Sequence, residues 1–80
     1  MNKKTFVNTK RVPSGRVVVS TVALPDDVRI VSIQPFETMV FEAHTNTDEV
    51  LSYIDLDANF YEDESEAASG HDSMIKKWSA

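Results

Sequence analysis

Residues 16–24, Arg-Val-Val-Val-Ser-Thr-Val-Ala-Leu, set the problem this chain has to solve. Their density of β-branched side chains predicts a strand. Turn-forming residues bound it: Pro13-Ser14-Gly15 on one side and Pro25-Asp26-Asp27 on the other. A strand with one wet face alternates apolar and polar residues, and this one does not. Val18, Val22 and Leu24 share a face with Ser20, while Val17, Val19 and Ala23 share the opposite face with Thr21. Residues 36–42, Phe-Glu-Thr-Met-Val-Phe-Glu, repeat the pattern. Phe36 and Val40 lie with Thr38, and Met39 and Phe41 lie with Glu37. Two strands that are apolar on both sides need cover on both sides.

The sequence supplies one helix for that purpose. Asp63-Glu64-Ser65-Glu66 has the form of a capping box, with acids in the first turn and Lys76 and Lys77 in the last to complement the helix dipole. Ala67, His71, Met74, Ile75 and Trp78 recur at spacings of three and four and mark one buried face of a helix over residues 63–78. Gly70 lies inside it and costs about 1 kcal/mol relative to alanine, a cost consistent with close approach of the sheet to the helix backbone. Residues 5–9 are a candidate first strand and 58–61 a short extended piece. Residues 28–33 are either an alternating strand or an ordered loop, and 50–56 either a short strand or one turn of helix. The expected architecture is α+β: a small antiparallel β-sheet of three to five strands with one C-terminal α-helix packed on it. Residues 1–80 form a single domain, with 1–4 a flexible start, 16–61 mainly β and 63–78 helix.

A lone helix shelters one side of that sheet. The other side needs residues 28–33, residues 50–56 or another chain. At about 25 cal/mol per Å², covering roughly 400 Å² contributes on the order of 10 kcal/mol before association costs. An 80-residue chain has a thin core and often gains stability by self-association. A homo-oligomer or a protein partner is therefore expected.

The net charge of −5 hides an asymmetry. Lys3, Lys4, Lys10, Arg11 and Arg16 fall in the first sixteen residues without an acid among them, and all 13 acids follow. An acidic body argues against direct nucleic-acid binding, which draws on clustered bases. The basic start is either a solvated tail and strand or an anion-binding patch. The absence of cysteine excludes disulfides and thiolate metal sites and fits a reducing cytoplasm. No apolar run approaches the roughly 20 residues that span a bilayer, so no membrane association is expected and the protein should stay in the cytoplasm where it is made.

No catalytic constellation, metal cluster or cofactor motif stands out. His71, on the apolar helix face, is either a hydrogen-bonded core histidine or a ligand or partner contact. Glu37 interrupts an apolar strand. It is either solvated or paired, with His71, with a base from the amino terminus or with another subunit. Ser20 or Thr21 is placed to join Thr38 in a cross-strand hydroxyl ladder. Trp78 either anchors the last helical turn or forms a binding hot spot. Asp55-x-Asp57 begins like a calcium loop but lacks the glycine and distal glutamate of one. The candidate contact residues are thus His71, Glu37, Thr38, Lys10, Arg11, Arg16 and Trp78.

Three blocks, Val19-Ser20-Thr21-Val22, Phe36-Glu37-Thr38-Met39-Val40-Phe41 and Glu66-Ala67-x-x-Gly70-His71, ahead of a C-terminal helix, resemble a family of small uncharacterised phage and prophage proteins with V-S-T-V, F-E-T-M-V-F and E-A-x-x-G-H blocks. The resemblance spans residues 17–78. In that family V-S-T-V runs into a Leu-Asp-His-like stretch and a Gly/Pro-rich loop; here Ala23-Leu24-Pro25-Asp26-Asp27 stands instead. The resemblance implies origin and fold and carries no activity. Three functions fit a small binding protein of that origin. One is an accessory protein inhibiting a host factor, such as a defence component, by protein–protein contact. The second is a homo-oligomeric sponge for a nucleotide-like signalling molecule, with the basic start and His71 lining its pockets. The third is a minor virion or assembly component. A hydrolase using His71 with Glu37 is the weakest reading, because no nucleophile or metal accompanies them.

Overall fold

The β-branched run that dominates the sequence becomes β2 (Arg16–Ala23), an inner strand of a four-stranded antiparallel sheet. The computed structural model describes residues 1–25 and 34–79; the expectation for 28–33 lies outside these. The other strands are β1 (Asn2–Asn8), β3 (Phe36–Glu42) and β4 (Asp57–Tyr61), in the order β1-β2-β3-β4. One helix, α1 (Glu64–Trp78), packs across the sheet and touches all four strands. The fold is α+β, as the pattern of the two central strands and the terminal helix implies.

Residues 2–4 are not a loose start. They belong to β1, with Asn2 opposite Val22 and Lys4 opposite Ser20. Their polar side chains carry no strand signal of their own; pairing with the long β2 brings them in. The β1–β2 turn follows from its chemistry. Gly15 adopts φ +74°, a region open to glycine at little cost. The backbone N–H of Thr9 donates to the Gly15 carbonyl at 2.8 Å, and the Thr9 hydroxyl accepts from the N–H of Arg11 at 3.2 Å.

Residues 50–56 form neither the strand nor the helical turn that the sequence allows. An isolated bridge joins Ala43 to Val50, and the segment then runs back to β4 through bends. Arg16 pins this excursion. Its guanidinium donates to the Thr47 carbonyl at 2.8 Å and pairs with Asp48 at 2.8 Å, while stacking 4.7 Å from the centre of the Phe6 ring.

The register sorts side chains onto two faces. Val17, Val19 and Val40 meet Met74 from the helix, with Val7, Val12, Ile75 and Trp78 packed around them. Asp63 caps α1, its carboxylate accepting from the Glu66 N–H at 2.8 Å. The far end is fastened to β4. The Asp57 carboxylate accepts from Lys77 at 2.7 Å and from the Trp78 indole N–H at 3.0 Å, and the lysine bond holds its pKa below the usual carboxylate value. The Trp78 ring also carries Arg11 above it at 5.3 Å. Along the rim of β4, the backbone N–H groups of Ala58 and Phe60 are taken up by the preceding side chains, Asp57 and Asn59, each at 3.0 Å.

Gly70 is buried at the helix–sheet contact, and a Cβ there would run into the ring of Tyr61. The helix keeps its glycine for this ring. Gly70→Ala should therefore destabilise the wild-type protein even though alanine favours the helix by about 1 kcal/mol. In a Tyr61→Ala background the same substitution should stabilise by roughly that amount. Urea denaturation of the four proteins of the cycle reads the sign reversal, and the same sign in both backgrounds would refute the contact.

Candidate functional site

His71 lies on the helix one turn beyond Ala67, and the sheet closes over it completely. A buried imidazole needs partners for both nitrogens, and the sheet supplies them. Nδ1 is 2.7 Å from the Thr21 hydroxyl on β2, and Nε2 is 2.9 Å from the Thr5 hydroxyl on β1. Thr21 is in turn 2.6 Å from the Thr38 hydroxyl on β3. The neutral ring has one donor and one acceptor, and threonine hydroxyls rotate to match either tautomer. The chain Thr5–His71–Thr21–Thr38 thus satisfies every polar group it contains. It joins α1 to three strands, and the expected hydroxyl ladder is its Thr21–Thr38 step.

Burial pushes the His71 pKa below its ordinary value, and Lys3 reinforces the shift against the opposing pull of Asp72. Of the two readings the sequence leaves open, the geometry matches the hydrogen-bonded core histidine. Glu37 cannot join it. The β3 alternation puts Glu37 with Met39 and Phe41 on the opposite face, away from Thr38 and Val40. The pairing of His71 with Glu37 is therefore corrected: the sheet separates them. Glu37 is half-buried, and burial first, then the negative charge of Asp55, raises its pKa.

The basic residues of the amino-terminal sixteen do not converge. Lys3 approaches Asp72 of the helix at 3.9 Å. Arg11 packs on Trp78 and Lys10 is exposed in the same turn. Arg16 is occupied by Asp48 and by the Thr47 carbonyl. On the face that carries Glu37 stand Arg16, stacked on Phe6 and taken up by Asp48, and Lys4.

That face is where cover runs short. Val18 is buried there, but Val22, Ser20, Met39 and Phe41 are only half-buried. They floor a hollow of about 280 Å³ that Val50 and Tyr53 bound on one side and Lys4 on the other. Residues 50–56 lie over part of it, with the Tyr53 ring edge-on to Phe41 at 5.7 Å. In doing so the segment turns its own apolar side chains outward: Leu51 is 54% exposed, Tyr53 80%, Ile54 78% and Leu56 42%. The segment, one of three candidates to shelter the sheet, thus extends the exposed apolar surface. Spacing alone did not reveal this, since positions 51, 53, 54 and 56 fit neither a strand nor a helix period.

No family model, curated protein or solved structure matched this chain. Among the described residues no helix is long and apolar enough to cross a membrane.

Because folding holds His71 neutral, its contribution to stability is complete above the unfolded-state pKa near 6.5 and falls as pH drops below that value. His71→Gln should cost about 2–4 kcal/mol at pH 7.5 through the broken network and altered packing. The stability gap between wild type and variant should then narrow by pH 5. Guanidinium denaturation at both pH values measures the gap, and a gap independent of pH would show that the ring is not held neutral.

Proposed function

We propose that this chain is a non-enzymatic accessory protein of phage or prophage origin, acting in the host cytoplasm by binding, and that its target is a host protein such as a defence factor. The observation that carries the reading is the surface of residues 51–56. Four large apolar side chains stand exposed within six residues, beside a hollow floored by half-buried valine, methionine and phenylalanine. Contiguous exposed apolar surface rimmed by polar groups marks interaction sites on soluble proteins, and tyrosine, phenylalanine and methionine are the residue types enriched in such interfaces.

Two further observations support binding over chemistry. Of the two histidines, His71 is sealed under the helix with both nitrogens engaged, and His44 lies in the turn after β3 with its Nδ1 accepting from the Asn46 N–H at 3.1 Å. The acid that would assist His71, Glu37, is on the other side of the sheet. The three sequence blocks resembling small phage and prophage proteins support the origin, and the acidic net charge favours a protein target over nucleic acid.

Affinity capture from host lysate tests the reading. Wild-type protein should retain one host protein in stoichiometric amount, and that protein, once purified, should bind again in isolation. Leu51→Ser with Ile54→Ser, two exposed positions whose replacement should change stability by no more than about 0.5 kcal/mol each, should weaken retention at least about tenfold. Absence of any retained protein, or equal retention by the variant, would sink the proposal.

A further inference from the structure

The open sheet face is built in two unlike halves. Over β3 and β4 it is raised by residues 50–56, with Tyr53 standing on Phe41. Over β1 and β2, beyond the stack of Arg16 on Phe6, the described residues leave a depression floored by Ser20 and Val22 and edged by Lys4. Apart from the Arg16–Asp48 pair, the charges follow the same division. Lys4 is on β1, opposite Ser20, and Glu37 is on β3 with Asp55 close enough to raise its pKa. Among the described residues Lys4 has no acid within salt-bridge distance, and neither Glu37 nor Asp55 has a base. Two intervening strand spacings of roughly 5 Å each keep Lys4 from Glu37 within one copy.

A two-fold axis running along the strands between β2 and β3 maps β1 onto the partner's β4 and β2 onto the partner's β3. It therefore lays the raised half of each copy over the bare half of the other, and carries each Lys4 toward the acidic pair of its partner. Such a self-complementary face is what an isologous contact requires. We infer that the open sheet face is occupied by a second copy of this chain, Tyr53 of each copy entering the depression of the other and Lys4 pairing with the opposing Glu37 and Asp55. The inference rests on the reading of this face as a binding surface: the second copy holds it in the free protein, and a host target takes it by displacing that copy.

The dimensions agree. The molecule is 35 by 22 by 16 Å, and its broad face offers an area of the size a standard interface takes from each partner, roughly 800 Å². Two sheets packed face to face stand about 10 Å apart, a separation that lysine and glutamate side chains bridge and that a tyrosine ring fills. The helices lie on the outside of the pair, and His71 stays within its own subunit.

Light scattering on the full chain, coupled to size exclusion, tests the inference. The expected mass is about twice the 9.0 kDa of the chain, returning to one copy on dilution. Lys4→Glu should weaken the association at least about tenfold, because it sets like charges against each other across the contact. Lys4→Glu with Glu37→Lys should restore the wild-type mass. Circular dichroism shows whether each variant is folded, and Tyr53→Ser, at a position already 80% exposed, gives a second disruption that does not touch the charges. A monomer at every concentration would overturn the inference, as would a dimer indifferent to both Lys4→Glu and Tyr53→Ser. The lysate capture described above reads a different outcome: a monomer that still retains a host protein overturns the second copy alone, and a dimer that retains none overturns the host target alone.

Discussion

The fold depends on one polar contact in an apolar place: the imidazole of His71 held between Thr5 and Thr21. Valine, methionine and alanine packing would bring a helix onto this sheet at many offsets, because apolar burial is non-directional. Hydrogen bonds are directional, and a buried imidazole displaced by one helical turn would lose both partners and incur the full desolvation cost. The network therefore fixes where α1 sits along and across the strands. That placement in turn sets Gly70 against Tyr61 and brings Trp78 and Lys77 to Asp57. A buried polar chain that is completely satisfied specifies a unique arrangement in this way.

Much of this was legible in the sequence. Residues 36–42 form β3 over the expected span, β2 ends one residue short of the predicted boundary, and Asp63 caps the helix as its spacing to Glu66 predicts. Those elements are encoded locally, by β-branched density or by cap chemistry. The threonines of the hydroxyl ladder were also visible, because Thr21 and Thr38 are the polar members of otherwise apolar faces. The start of β1 was not legible, since Asn2, Lys3 and Lys4 become strand only through pairing with β2. Residues 50–56 were not legible either. Their path is set by Arg16 gripping Thr47 and Asp48, 31 and 32 residues further along, and no local window contains both ends of that contact. The opposite placement of His71 and Glu37 follows from strand alternation. It could have been read from the sequence by assigning the helix to the face of Thr21 and Thr38.

The central tension in the sequence, two strands apolar on both sides with one helix to cover them, survives into the structure in altered form. The helix covers the centre of one face: Val17, Val19 and Val40 are inaccessible to solvent. The chain answers on the other face with residues 50–56, which relieve Phe41 and expose four apolar side chains of their own. Apolar surface is thereby moved outward and not removed. An 80-residue chain has too little interior to do otherwise, and the remaining surface becomes available for association.

The rims of the sheet shape what that association can become. At β4 the donors of Ala58 and Phe60 are already occupied by Asp57 and Asn59, and at β1 two exposed lysines line the opposite border. Both are devices by which natural sheets resist sideways accretion of further strands. A molecule that is sticky on one broad surface and blunted along its margins is biased toward finite, stacked particles over ribbons that lengthen without limit.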